Sequence, residues 1–230
     1  MKQNFQKISR FALQLYLECP RCFWLTKKHG IRRPPPYPYT LNAAVDIFLK
    51  AEFDEARKER KPHNIFKQNQ VKAVPFPDFN KIKEWRDSGI KYYFPKLNAL
   101  LYGKIDEVVM FPDKTLSPID FKATGSSQVQ IYKDYQQQMD IYGYLLEKNG
   151  YKINNKAYFA FYKVDRNGGF DSKLTFLPEL REVEIDTSWV EEIFKKAVRS
   201  LWSENSPLPG KDCEYCQRER RILERKLHLT

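Results

Sequence analysis

Two Cys-x-x-Cys pairs stand near opposite ends of this chain, Cys19 with Cys22 and Cys213 with Cys216. Paired cysteines at this spacing in a reducing setting read as metal ligands rather than disulfides. The gap between the pairs is far too long for a local zinc finger. If they share one centre, the N-terminal and C-terminal segments must meet around whatever lies between. Closing so long a loop is also where a cross-link stabilises most in theory.

Composition fits a filled core. The chain has 230 residues, 42% of them hydrophobic and 15% aromatic, enough for one substantial domain. At 30% charged, it has no apolar run near the roughly 20 residues that a spanning helix needs, so no membrane association is expected. Met1-Lys2-Gln3-Asn4 leads into mixed polar sequence, unlike a secretory leader, so the expected location is cytoplasmic. The net charge of +11 suits a polyanionic partner, nucleic acid being the commonest, although solubility alone also explains a basic surface.

The periodicity predicts helix over 8–28, with Ser9 as N-cap and Pro20 as an interruption. Pro34-Pro35-Pro36 is a stiff connector. Thr40 caps a helix over about 41–60, whose apolar positions are Leu41, Ala44, Val45, Phe48, Leu49 and Phe53. Leu100–Phe111 reads as a strand, Pro112-Asp113-Lys114 as a turn and Thr115–Lys122 as a second strand, together an antiparallel hairpin. A helix is expected over 128–149 with Gly150 as its stop signal. A central strand follows over 156–164, an edge strand over 181–185 and a helix over 189–202. Alternating strand and helix runs around a mixed sheet argue for an α/β class.

The hairpin carries the chemistry. Asp120 and Lys122 are two apart on a strand and share a face. The midpoint between 106 and 120 is residue 113, inside the turn, so antiparallel pairing brings Asp106 opposite Asp120. Two carboxylates held together repel unless a cation joins them. A hard ion such as Mg²⁺ or Mn²⁺ takes oxygen ligands, polarises a phosphate and lowers the pKa of bound water. Lys122 would orient that water or neutralise charge on the phosphate. The plain alternative is an ordinary solvated Asp–Lys pair.

Gly103-Lys104-Ile105-Asp106, then Pro118-Ile119-Asp120-Phe121-Lys122, then Gln138-Met139-Asp140-Ile141-Tyr142 resemble, in that order, the motifs of the PD-(D/E)XK superfamily, specifically its RecB-like branch. The resemblance spans about residues 8–220. It implies a restriction-endonuclease-like core, a mixed central β-sheet flanked by helices. It also implies a divalent-metal-dependent DNA nuclease acting in repair, recombination or CRISPR-type processing. Asp106, Asp120 and the Phe121 carbonyl would be metal ligands and Lys122 the catalytic lysine. Gln138 and Tyr142, four apart on one helical face, would position the DNA backbone or the site. Relatives often carry a metal-binding histidine on the preceding helix. Here Asp46 stands in its place, with Glu52 as the competing ligand.

The same resemblance implies a [4Fe–4S] cluster on Cys19, Cys22, Cys213 and Cys216, with Zn²⁺ as the alternative, because thiolates suit both. Iron–sulfur relatives have one cysteine before the core and three after it. This chain divides them two and two, and residues 217–230 contain none. The organisation implied is one nuclease-like domain over 1–230, with 8–28 and 205–230 as a metal-tethered helical subregion. Single- or double-stranded DNA is the expected partner, together with a helicase or another nuclease-complex subunit. Arg21, Lys27, Lys28, Arg32, Arg33, Arg218, Arg220, Arg221, Arg225 and Lys226 are candidate phosphate contacts. Trp85, Tyr92 and Tyr93 are candidate base-stacking residues, core packing being the commoner role. The competing function is a catalytically degenerate nucleic-acid-binding module of a larger complex. A metal-held scaffold without a nucleic-acid role is the third.

Overall fold

Hydrophobic periodicity and strand alternation become a mixed α/β fold in the computed structural model, which describes residues 4–35, 40–169 and 171–227, the side chains beyond Arg221 excepted. Pro36 and the side chains of Arg225 and Lys226 lie outside the described residues. The chain forms two compact units, Pro38–Tyr92 with Tyr102–Ser188, and Met1–Tyr37 with Tyr93–Leu101 and Trp189–Thr230.

The first of these units is built on a five-stranded sheet. Its strands are β2 (Val74–Pro75), β5 (Glu107–Met110), β6 (Leu116–Thr124), β7 (Lys156–Val164) and β8 (Phe176–Glu184), in the order β2-β5-β6-β7-β8. β6 and β7 are parallel and every other neighbour is antiparallel. A parallel pair needs a crossover, and α6 (Lys133–Lys148) supplies it. Gly150 follows that helix at φ +84°, the left-handed conformation that a helix stop favours. The unit also holds α3 (Thr40–Lys58), α4 (Asn64–Gln68) and α5 (Phe79–Asp87).

β6 is the centre of the sheet and is buried on both faces. Ile119 and Phe121 face a core that contains Leu49 and Phe53 of α3, Ile65, Phe66, Val109, Tyr158 and Ala160. Asp120 and Lys122, on the other parity, face α6, where Gln138 hydrogen-bonds Asp120. A continuous apolar run, Leu116 to Phe121, broken only by Ser117 and Asp120, is what a doubly covered strand requires.

In the other unit β1 (Gln6–Ser9) precedes α1 (Arg10–Glu18) and α2 (Pro20–His29). Ser9 caps α1 by accepting from the Ala12 amide at 3.0 Å, and Pro20 opens α2, where its missing N–H costs no bond. Tyr93–Leu101 brings the adjoining ends of β3 (Ile90–Phe94) and β4 (Ala99–Gly103), which with β1 make a three-stranded sheet of order β1-β4-β3. α7 (Val190–Ser200) and α8 (Glu214–Leu227) complete it.

Three local expectations are corrected. Residues 100–111 are two strands of different sheets, separated at Lys104–Asp106, because the Arg86 guanidinium takes the Asp106 carbonyl at 2.9 Å and the ladder begins only at Glu107. Thr40 lies within α3. The buried stripe of that helix runs through Leu49, Phe53 and Arg57, leaving Leu41 and Phe48 exposed. It rotates toward Arg57 because the buried Glu107 carboxylate binds that guanidinium at 2.5 and 2.6 Å. Helix α6 begins at 133, not 128, since Thr124 and Ser126 hydroxyls draw the local amides into turns. The basic tail forms α8, within residues 205–230.

Candidate active site

The hairpin register obeys the midpoint at residue 113: Glu107 pairs with Ile119, Val108 with Pro118 and Met110 with Leu116. Asp106 is thereby one step beyond the ladder, opposite Asp120. Its Oδ2 accepts from the Phe121 amide at 3.2 Å. Arg86 holds its carbonyl and also reaches Glu107 at 2.8 Å and Asp54 at 2.9 Å, so a buried Arg57–Glu107–Arg86–Asp54 network fixes the start of β5.

Asp120 is buried and its two oxygens have different partners. Oδ1 accepts from the Gln138 amide nitrogen of α6. Gln138 lies 3.2 Å from the Tyr142 hydroxyl, which itself donates to the Lys104 carbonyl. The helical spacing of Gln138 and Tyr142 thus links β6 to the segment that carries Asp106. Oδ2, with no donor from the backbone or a neutral side chain, is engaged by the Lys122 ammonium. That ammonium sits over the Tyr135 ring, 4.7 Å from its centroid.

Lys50 of α3 makes the other half of the site. Its ammonium bridges Asp46 at 2.6 Å and Asp106 at 3.3 Å. Of the two helix-borne candidates, Asp46 therefore joins the Asp106 group, whereas Glu52 bonds His63 at 3.1 Å. Burial, and then the neighbouring Asp120 charge, push the Asp106 carboxyl up to about 6. Burial opposes the Lys50 charge, yet Asp106 and Asp46 together raise its pKa.

Asp106 thus stands between Asp120, whose charge raises its pKa, and Asp46, to which Lys50 links it. A buried carboxylate whose free-facing oxygen is met only by a cationic group is the kind of oxygen donor that a hard divalent cation takes. The donor set therefore fits Mg²⁺ or Mn²⁺. Lys50 was absent from the sequence expectations. Its signal was its position, four residues from Asp46 on one helical face.

The four cysteines are all buried, and their Sγ atoms lie within 4.8 Å of one another. Among the described residues they are the one such group of three or more His, Cys, Asp or Glu ligand atoms. Cys19 Sγ accepts from the amides of Cys22 at 3.4 Å and Gly210 at 3.2 Å. Burial works against its thiolate, but these two bonds, with the neighbouring Cys22 and Cys213 thiols, bring the Cys19 thiol down to about 7. Arg33 donates to Cys213 Sγ at 3.2 Å and stacks on Tyr215, so it is not a free phosphate contact. Arg32, Arg218, Arg220 and Arg221 are exposed. Lys28 pairs with Glu204 at 3.0 Å, and Lys27 donates to the Lys7 carbonyl at 2.7 Å. Trp85 stacks on Phe76 in the interior, while Tyr93 is exposed.

No described helix is long and apolar enough to cross a membrane. No curated protein matches the sequence. Among solved structures, the crystal structure of SSO0001 is 12% identical, with a TM-score of 0.45 over 94% of this chain and 85% of that one. The crystal structure of LHK-Exo in complex with dAMP is 11% identical, with a TM-score of 0.43 over 96% of this chain and 93% of that one. The family model described as the PD-(D/E)XK nuclease superfamily matches residues 7–221. With a match over nearly its whole length, the chain belongs to the PD-(D/E)XK nuclease superfamily.

Proposed function

We propose that this protein is a divalent-metal-dependent deoxyribonuclease of the RecB-like branch. It would act in DNA repair, recombination or CRISPR-type processing, in the cytoplasm, alone or with a helicase or another nuclease subunit. In this reading the chain works as one nuclease domain, with 8–28 and 205–230 as a subregion held by the four cysteines.

The observation that carries this reading is the division of labour at Asp120. Gln138 occupies one carboxylate oxygen, while the other, buried, carries only the Lys122 ammonium and no neutral donor that would compete with a metal cation. Asp106, Asp120 and the Phe121 carbonyl would hold Mg²⁺ or Mn²⁺, with Asp46 as the helix-borne ligand. When bound, the ion polarises the scissile phosphate and lowers the pKa of an attacking water. Lys122, kept in place by Asp120 and the Tyr135 ring, neutralises charge that develops on the phosphate oxygens. Gln138 and Tyr142 are positioning residues, because they act through Asp120 and the Lys104 carbonyl. Exposed Arg218, Arg220 and Arg221 supply sequence-independent phosphate contacts.

Incubation with single- and double-stranded DNA and Mn²⁺ tests the proposal against Asp120→Ala and Lys122→Ala. Each variant is expected to lose at least about 10²-fold in rate, the scale of removing a transition-state charge partner. Equal cleavage by all three proteins overturns the mechanism. Metal-independent binding of DNA without cleavage by the wild type selects the degenerate binding module instead.

A further inference from the structure

We infer that Cys19, Cys22, Cys213 and Cys216 hold a single tetrahedral Zn²⁺ ion, and not the four-iron cluster that the family resemblance implies. Sulfur spacing separates the two centres. Four thiolates on one zinc each lie about 2.3 Å from the ion, which puts neighbouring sulfurs about 3.8 Å apart at the corners of a tetrahedron. In a [4Fe–4S] centre each thiolate binds a different iron and points outward from its own corner, so the sulfurs stand about 6 Å apart. Here Cys22 Sγ is 3.5 Å from Cys213 Sγ and 3.6 Å from Cys216 Sγ, and Cys19 Sγ is 3.7 Å from Cys216 Sγ. All four lie within 4.8 Å. These are the dimensions of a mononuclear cage.

The surroundings hold the sulfurs in. Cys19 is completely buried. Gly210 donates to its sulfur at 3.2 Å, and a side chain at Gly210 would place its Cβ 2.1 Å from the Glu18 carbonyl oxygen. Widening each sulfur pair by about 2 Å to admit a cubane would break that approach. The four-cysteine set is also symmetric. Cys19 is the N-cap of α2 with Cys22 in its first turn, and Cys213 immediately precedes α8 with Cys216 in its first turn. Each pair thus presents two sulfurs at a helix N-terminus, where the positive end of the dipole favours thiolate. Arg33, 3.2 Å from Cys213 Sγ, offsets the residual negative charge of a tetrathiolate zinc site. The sulfurs are too far apart for disulfides, whose S–S bond is about 2.05 Å.

Metal analysis of the full chain tests this without any activity measurement, so it succeeds or fails apart from the nuclease reading. The protein is purified anaerobically from cells supplied with both iron and zinc. One zinc per chain is expected, with no sulfide and no broad absorbance near 400 nm. Titration of the four thiols with a mercurial should release that zinc. Exchange with Co²⁺ should give the visible bands of a tetrahedral tetrathiolate site. A brown protein with four irons and four sulfides overturns the inference. So does a metal-free protein that carries two disulfides, or one with four free thiols that takes up neither zinc nor cobalt.

Discussion

Replacing Arg57 by methionine keeps the aliphatic bulk on α3 and removes the guanidinium that holds Glu107. Glu107 is completely buried and accepts from Arg57 at 2.5 and 2.6 Å, from Arg86 at 2.8 Å and from the Val108 amide at 2.8 Å. The variant loses both bonds to Glu107, each about 1.5–3 kcal/mol net, and also Arg57's bonds to the Phe76 carbonyl at 2.6 Å and to Asp54. It keeps the Arg86 contact, so the loss stays near the 3–5 kcal/mol typical of a broken buried pair. For a chain of this size that is a fall in Tm of about 10 °C. Burial already raises the Glu107 pKa, with the two arginines opposing it. Without Arg57 it rises further. A carboxyl whose folded pKa exceeds its unfolded one keeps its proton in the folded state at low pH, and stability is lost as pH rises through the folded value. The destabilisation should therefore be larger at pH 8 than at pH 5. Urea denaturation at both pH values measures it, alongside Arg57→Met combined with Glu107→Gln. The double variant should recover part of the loss. A loss below about 1 kcal/mol, or simple additivity of the two substitutions, refutes the claim that this buried pair organises the start of β5.

Other consequences of the geometry are open to measurement. Gln138→Met should leave the fold in place and weaken Mn²⁺ affinity about 10–100-fold, the usual cost of removing a hydrogen bond that orients a ligand. Titration calorimetry reads this directly, and unchanged affinity would show that Gln138 does not position Asp120. Mn²⁺ at about 100 times its Kd should stabilise the protein by about 2.7 kcal/mol at pH 7.5. The gain should shrink at pH 5, where the Asp106 carboxyl, raised to about 6, holds a proton that competes with the ion. Thermal melts with and without Mn²⁺ at the two pH values test it. Gly210→Ala would set a Cβ 2.1 Å from the Glu18 carbonyl oxygen and 3.2 Å from the Cys19 Cα. Backbone atoms cannot step aside cheaply, so a destabilisation of about 1–3 kcal/mol is expected, together with weaker metal retention by the cysteines. A melt and a metal assay on the same sample check both.

The hairpin at Asp106 and Asp120 was legible because strand pairing is arithmetic: a turn at 113 fixes every partner on either side. The Gln138–Tyr142 spacing was legible for the same kind of reason, since residues four apart on a helix share a face. The stripe of α3 was misjudged. Leu41 and Phe48 fit a helical period as well as Leu49 and Phe53 do, and periodicity alone does not say which flank meets the sheet. Nor could it show that an arginine, Arg57, would be buried there, because that depends on Glu107 fifty positions later. Lys50 was missed on the same ground: its two carboxylates come from its own helix and from a distant strand end.

By itself, the sequence determined the α/β class, the central hairpin and the order of motifs that define a nuclease-superfamily chain, as local periods and short spacings carry that information. The tertiary structure decided what distant residues do to one another. It set which oxygen of Asp120 Gln138 takes and which Lys122 takes, that Asp46 rather than Glu52 joins Asp106, and how closely the four sulfurs approach. Those are matters of ångström-scale distance, and distance across a fold is fixed by packing, hydrogen bonding and charge compensation among segments that no local pattern connects.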